Sequence, residues 1–177
     1  ARTADGTLEP RTHTFYWTRF GPMFEFPDGY MTWNQLTGYA FRDVNAILAN
    51  GQQGHVSVRI ETDEAGITSL RLYSTNTMPS LSRILPALQN AGVAIDREQS
   101  FWIDTAEGTR RYITSLIVDA DSARLTRPGV ADVAEELFAA LFNGDAEDGR
   151  LNGLTIEGGL SMREVQLVRA YISYWRQ

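Results

Sequence analysis

Cysteine is absent, which excludes disulfides and thiolate metal sites together. Lysine is absent as well, so every basic residue is an arginine. Arginine stays protonated and makes a poor general base, whereas a buried lysine readily loses its proton. Chemistry that needs a lysine amine or a lysine general base is therefore closed to these residues. The histidines are only His13 and His55, and neither stands in an HExxH or GxSxG motif. His55 begins a strand and reads as a surface or cap residue rather than a catalytic base. No apolar run approaches the ~20 residues that span a bilayer. Residues 1–10 are polar and lack the basic-then-apolar order of a signal peptide. These absences fit the cytoplasm. The chain opens on Ala1 without a methionine, which suggests a piece of a longer protein.

The formal net charge is -6, and no basic run is longer than Arg110-Arg111. A generic nucleic-acid or anionic-membrane binder needs a basic surface, so neither is an expected partner. A length of 177 residues suits one compact domain with appendages, or two small domains.

Residues 1–32 form an irregular strip in which Phe15, Tyr16, Trp17, Phe20, Phe24, Phe26 and Tyr30 fall among Gly21, Pro22, Pro27 and Gly29. Residues 12–20 read as an extended segment, and the strip as one that packs across a neighbouring surface. A helix is expected from about residue 33 to 48, with Leu36, Tyr39, Val44, Ile47 and Leu48 on one face and Asn50-Gly51 as its stop. Val56, Val58 and Ile60 then alternate with polar residues at strand period. Asp63-Glu64-Ala65-Gly66 turns the chain, and residues 67–73 return with Leu70 and Leu72 on one side, giving a hairpin over 54–73.

Leu81, Ile84, Leu85 and Leu88 have helical spacing, with Pro79 suited to the first turn, Pro86 expected to bend the helix or restrict its regular part, and Gly92 at the C-terminal cap. Residues 93–103 and 112–118 read as strands around a Glu107-Gly108 turn, with a polar stretch at 96–100. Val130, Val133, Leu137 and Leu141 mark another helix, ended by Gly144 and followed by an acidic loop at 145–149. Residues 151–156 suit one or two helical turns. Ser161 opens the last helix, with Glu164 placed to complete a capping box. On that helix Val165, Val168, Ile172 and Trp175 line one face, and Leu167, Tyr171 and Tyr174 another, so a second packing partner is expected.

The order helix, strand, strand, helix, strand, strand over 33–119 is a circular permutation of the ferredoxin-like order. The expected fold is α+β and ferredoxin-like, a circularly permuted antiparallel sheet with helices on one face, followed by C-terminal helices. A sheet taking its first strand from residues 12–20 is the alternative. The expected divisions are 1–32, 33–125 and 126–177.

Several apparent motifs lack essential residues. Gly153 to Gly158 has the glycine spacing of a phosphate loop, but Gly159-Leu160 stand where Lys and Ser/Thr are required. Asp145-Ala146-Glu147-Asp148-Gly149 fails as a calcium loop, because Gly144, Ala146 and Thr155 fall at liganding positions. Gly51-Gln52-Gln53-Gly54 runs into a strand rather than a helix, unlike the nucleic-acid-binding GxxG loop. No G-x-G-x-x-G follows a strand. One candidate ligand loop remains, at residues 74–80. There Asn76, Thr77 and Ser80, with the helix N-terminal N–H groups, suit a carboxylate such as that of an amino-acid effector. Simple capping by Thr77 or Ser80 is the competing reading. No catalytic or metal-ligating residue emerges. Pro86, Gly92, Ser161, Glu164, Tyr171 and Trp175 are the candidates for structural and interface roles.

Two segments carry a family resemblance. Leu72-Tyr73 and then Leu81-Ser82-Arg83-Ile84-Leu85-Pro86-Ala87-Leu88-Gln89-Asn90-Ala91-Gly92-Val93 resemble the third ACT-like segment of the large bacterial NAD-specific glutamate dehydrogenases. Glu147-Asp148-Gly149-Arg150-Leu151-Asn152, Gly159-Leu160-Ser161-Met162-Arg163-Glu164-Val165, Leu167, Arg169-Ala170-Tyr171, Tyr174 and Arg176-Gln177 are similar to the helical start that follows those segments. Ser80 departs from ligand-binding ACT domains, which often carry glycine there. The resemblance implies a non-catalytic regulatory or assembly segment of a homo-oligomeric enzyme that oxidises glutamate to 2-oxoglutarate and ammonia with NAD. It places the Rossmann domain and catalytic lysines elsewhere in the parent, so that no cofactor is expected on these residues. Its implied partners are other domains and subunits of that parent. A stand-alone ACT-like amino-acid-sensing or protein-interaction module is the alternative.

Overall fold

The computed structural model describes residues 24–25, 43, 46–47, 54–63, 65–105, 108–119 and 124–175. Residues 12–20, most of the expected helix at 33–48, its Asn50-Gly51 stop and Glu107 lie outside the described residues.

The elements run β1 (Phe24–Glu25), β2 (Val56–Thr62), β3 (Thr68–Ser74), α1 (Leu81–Asn90), β4 (Ile95–Thr105), β5 (Arg110–Val118), α2 (Val130–Asn143), a 3-10 turn (Arg150–Asn152), α3 (Gly153–Gly158) and α4 (Met162–Trp175). The strand order is β1-β4-β5-β3-β2. Within it, β4-β5-β3-β2 is the antiparallel order that a permuted ferredoxin-like sheet requires, with the hairpin strands β2 and β3 as neighbours. The strip expected to be irregular supplies β1, whose Phe24 and Glu25 pair antiparallel with Thr105 and Asp104.

Contacts divide the chain into two compact units. One comprises Ala1–His55, Tyr73–Met78 and Ser100–Thr114, and the other Val56–Leu72, Pro79–Gln99 and Ser115–Gln177. In the first, Ile47, Ile103 and Ile113 are buried, and the buried Tyr73 hydroxyl donates to Asp43 Oδ1 at 2.7 Å. The β4–β5 turn closes through Thr105 N–H to the Thr109 carbonyl at 3.0 Å and Gly108 N–H to the Thr105 carbonyl at 2.8 Å. Beside it, Arg110 donates from Nε and Nη2 to the two Asp104 carboxylate oxygens, both at 2.8 Å, and lies 5.4 Å from the centre of the Trp102 ring. The hydrogen bond from Arg110 holds the Asp104 carboxyl below its ordinary value.

In the second unit the β2–β3 turn is set by Asp63. Its carboxylate accepts from the Ala65 and Ile67 amides at 2.9 and 2.8 Å, and Gly66 takes the left-handed φ of +80°. Val56 and Val58 are buried while Arg59 is exposed, as the alternation predicts. Residues 69–74 of β3 differ from expectation: Ser69, Arg71 and Tyr73 are buried as well as Leu70 and Leu72, so the strand is covered on both faces. Arg71 is 0% exposed, with Nη1 lying 3.4 Å from the Ser115 hydroxyl.

Helix α1 starts at Leu81, not at Pro79, because Ser80 is extended and its carbonyl is the first to accept helical bonds, from Arg83 and Ile84. The helix continues past Pro86 to Asn90. It ends in a Schellman closure, with Gly92 N–H on the Gln89 carbonyl at 3.0 Å and Val93 N–H on the Leu88 carbonyl at 2.9 Å. That bond occupies the Val93 amide, so β4 begins at Ile95 rather than 93. The polar residues 96–100, expected to mark an exposed stretch or a bulge, lie inside β4, where Asp96, Arg97 and Ser100 are exposed.

Helix α2 buries Val130, Ala134, Leu137, Phe138, Leu141 and Phe142, the two phenylalanine rings stacking at 6.2 Å. Gly144 ends it as expected, again through a Schellman closure, with the Asp145 N–H on the Ala140 carbonyl at 2.8 Å. Arg83 Nη2 donates to the Leu141 carbonyl at 3.1 Å, placing a cation at the negative end of the helix. Arg150–Asn152 and α3 supply the short helical turns expected near 151–156.

Two stability measurements test this account. Gly92→Ala is expected to cost about 1 kcal/mol or more in denaturant unfolding, because the φ of +82° strains any Cβ although space is open around it. Phe138→Ala is expected to cost about 3–5 kcal/mol by the same measurement, from lost transfer energy and the cavity left behind.

Candidate functional site

Among the described residues no three His, Cys, Asp or Glu side chains group as a metal site. No helix among them is long and apolar enough to cross a membrane. Among the described residues a side-chain cluster forms in the second unit, where α4 meets the segment that precedes it.

Arg169 is its centre. Nη1 pairs with Glu147 Oε1 at 2.7 Å, and Nη2 donates to Asn152 Oδ1 at 3.1 Å and to the Glu147 carbonyl at 3.4 Å. The buried Asn152 returns Nδ2 to that same carbonyl at 3.2 Å. The planar guanidinium therefore fastens the 147–152 segment to α4, a task that suits a fork of fixed donors better than an ammonium. A groove of about 350 Å³ opens beside it, lined by Leu137, Asn152, Met162, Val165, Arg169 and Ala170 among others. Arg169 Nε is buried without an acceptor among the described residues.

At the start of α4, Ser161 and Glu164 face each other reciprocally. Glu164 Oε2 accepts from the Ser161 N–H at 2.8 Å and hydroxyl at 2.7 Å, and the Glu164 N–H lies 3.4 Å from Ser161 Oγ. The hydroxyl bond first, and the backbone bond second, hold the Glu164 carboxyl below its ordinary value.

Along α4, Val165 is buried and Val168 and Ile172 are half-buried. Leu167, Tyr171, Tyr174 and Trp175 are exposed, the last two at 74% and 83%. Trp175 thus belongs with the outer stripe by its exposure, not with the Val165 face as the spacing suggested. Tyr171 is likewise outward.

The candidate ligand loop has a different character. Asn76, Thr77 and Ser80 are all exposed. The Ser74 hydroxyl donates to the Thr77 carbonyl at 2.9 Å, and the Ser80 hydroxyl sits 2.8 Å from that of Ser82 without capping α1. Sequence reading missed the Arg169 cluster. Glu147, Asn152 and Arg169 share no helical or strand spacing, so no local pattern marks them.

The geometry assembled so far is a permuted ACT-like sheet followed by short helices and an outward apolar stripe. Two family models match it: "Glutamate dehydrogenase, ACT3 domain" over residues 56–130 and "Glutamate dehydrogenase, helical motif 3" over residues 146–177. Over these two regions the chain is similar to the ACT3 domain and helical motif 3 of glutamate dehydrogenase. The ACT3 match begins at the first residue of β2, and the helical-motif match takes in Glu147, Asn152 and Arg169. The chain is similar to the NAD-specific glutamate dehydrogenase of Mycobacterium tuberculosis, with 32% identity over 66% of this chain and 8% of that protein. It is also similar to the enzymes of the same name from Pseudomonas aeruginosa, 28% identical over 60% of this chain and 7% of that protein, and Halomonas elongata, 25% identical over 67% and 7%. The chain therefore spans 7–8% of the length of these curated relatives.

Two further measurements follow. Because the native Glu164 value lies below the unfolded one, the capping box adds stability above the unfolded carboxylate range. That stability is lost as pH falls through the lowered native value. A carboxyl NMR titration is expected to show Glu164 titrating below an unstructured glutamate, and Ser161→Ala to bring it back up. Arg169→Ala is expected to cost about 1–3 kcal/mol in denaturant unfolding, since it strips partners from the buried Asn152, and Arg169→Lys to recover little of that.

Proposed function

We propose that this chain is a non-catalytic regulatory and assembly segment of an NAD-dependent glutamate dehydrogenase. In this reading the whole polypeptide oxidises L-glutamate to 2-oxoglutarate and ammonia in the cytoplasm, as a homo-oligomer, and the chemistry is housed in other domains. The observation that carries it is the succession of an ACT3 match and a helical-motif match on a chain without lysine.

The residues present do not fit a nicotinamide dinucleotide. A pyrophosphate cradle needs a glycine-rich turn running from a strand into a helix N-terminus. The β3–α1 junction is Thr75, Asn76, Thr77, Met78, Pro79 and Ser80, with no glycine. No step of the reaction is derived through NAD on these residues. The assembly role rests on the stripe of Leu167, Tyr171, Tyr174 and Trp175, whose exposure suits a contact with another part of the parent. Capture of an amino-acid effector at Asn76, Thr77 and Ser80 has less support, because the Ser74 and Ser80 hydroxyls are engaged within the loop and α1.

The purified chain, given glutamate and NAD, is expected to form no NADH. Turnover that follows it through successive columns overturns the reading. In the whole dehydrogenase, Tyr171→Glu with Trp175→Glu is expected to shift the assembly towards smaller species in sedimentation, while the melting temperature of the isolated chain stays unchanged.

A further inference from the structure

The groove of about 350 Å³ beside Arg169 lies at the small end of ligand sites, which run from roughly 300 to 1,000 Å³. Its charged lining is one cation and one anion, Arg169 and Glu147. Gln166, Arg169 and Ser173 stand three and four residues apart on α4, so they form one row along the groove. Gln166 and Ser173 are exposed, and neither side chain is engaged among the described residues. Leu137, Met162 and Val165 give the groove an apolar wall.

The two ends of the Arg169 guanidinium are held differently. Nη2 is fixed from the inner side by Asn152 Oδ1 at 3.1 Å, and Asn152 is itself buried. Nη1 has the Glu147 carboxylate, whose side chain is 77% exposed. An exposed ion pair holds weakly, because water screens it and a long side chain gives up rotamer freedom to keep it. An incoming carboxylate therefore displaces Glu147 from Nη1 at little cost, while Asn152 keeps the guanidinium in place. The displaced Glu147 carboxylate stays at the rim of the same groove, where it can accept from a cation. Nε is buried without an acceptor among the described residues, so the five guanidinium donors are not all used by the chain.

We propose that this groove binds a small α-amino acid with an aliphatic side chain. The ligand carboxylate takes Arg169 Nη1, its ammonium takes Glu147, and its side chain lies against Leu137, Met162 and Val165. The charge balance selects a zwitterion. A dianion meets one cation and one anion and gains little, and a plain amine has the guanidinium against it. Apart from Leu137, the residues named lie within the 146–177 match and not in the loop of Asn76, Thr77 and Ser80. The proposal goes beyond the regulatory reading and does not depend on it, because binding is a property of these residues whatever the whole polypeptide catalyses.

The test is isothermal titration calorimetry of the purified chain with L-leucine as the probe. Saturable binding is expected, with L-leucinamide and 4-methylpentanoate, each lacking one of the two charges, at least about tenfold weaker. Ala170→Trp places a large ring on an exposed groove position of α4 without altering the Arg169 contacts, and is expected to abolish binding. Glu147→Gln is expected to weaken leucine about tenfold while leaving 4-methylpentanoate unchanged, since only the ammonium loses its partner. No heat with millimolar leucine overturns the proposal, and so does tighter binding of inorganic phosphate or succinate. An unchanged leucine constant in either variant, folded by circular dichroism, also overturns it, because another part of the chain is then responsible. Should Ala170→Trp fail to fold, Glu147→Gln at its exposed position decides alone.

Discussion

Burial of the apolar side of α2 is the constraint on which the second unit depends. This helix packs against β2, α1, α3 and α4. Its inward residues must therefore satisfy a sheet edge and three helices at once, which explains why small Ala134 sits beside bulky Leu137, Phe138, Leu141 and Phe142. A helix that fills this place with large side chains throughout would overpack, and one with small side chains would leave cavities.

From that packing the polar contacts follow. Once α2 is seated by its apolar side, its flanks come within reach of main-chain groups that have no strand beside them among the described residues. Asn143 and Glu135 meet β2 there, and Arg83 of α1 meets the Leu141 carbonyl. Each buried or half-buried polar group would cost free energy if left without a partner, so these contacts make the packing tolerable as much as they add to it. Arg169 does the same at the junction with α4, where one guanidinium organises a loop that has no regular structure before the 3-10 turn.

The interior of the second unit buries Leu70, Leu72, Ile84, Leu88, Leu116 and Phe138. The outer stripe of α4 is apolar and exposed, and the chain spans 7–8% of the length of the curated relatives it matches.

Much of this was legible in the residues because it is governed by interactions between near neighbours. The alternation of Val56 and Val58, the Asp63 turn, the closures at Gly92 and Gly144, and the reciprocal pair Ser161 and Glu164 all act within a few residues, so local spacing reveals them. The absence of lysine and cysteine is likewise complete information without coordinates. The full burial of Arg71, the outward position of Trp175, the Arg169 cluster and the engagement of the β2 edge were decided only by tertiary structure. Their determinants are groups brought together across the chain, as when Asn143 reaches Val56 across 87 positions, and no periodicity records which distant backbone a side chain will meet.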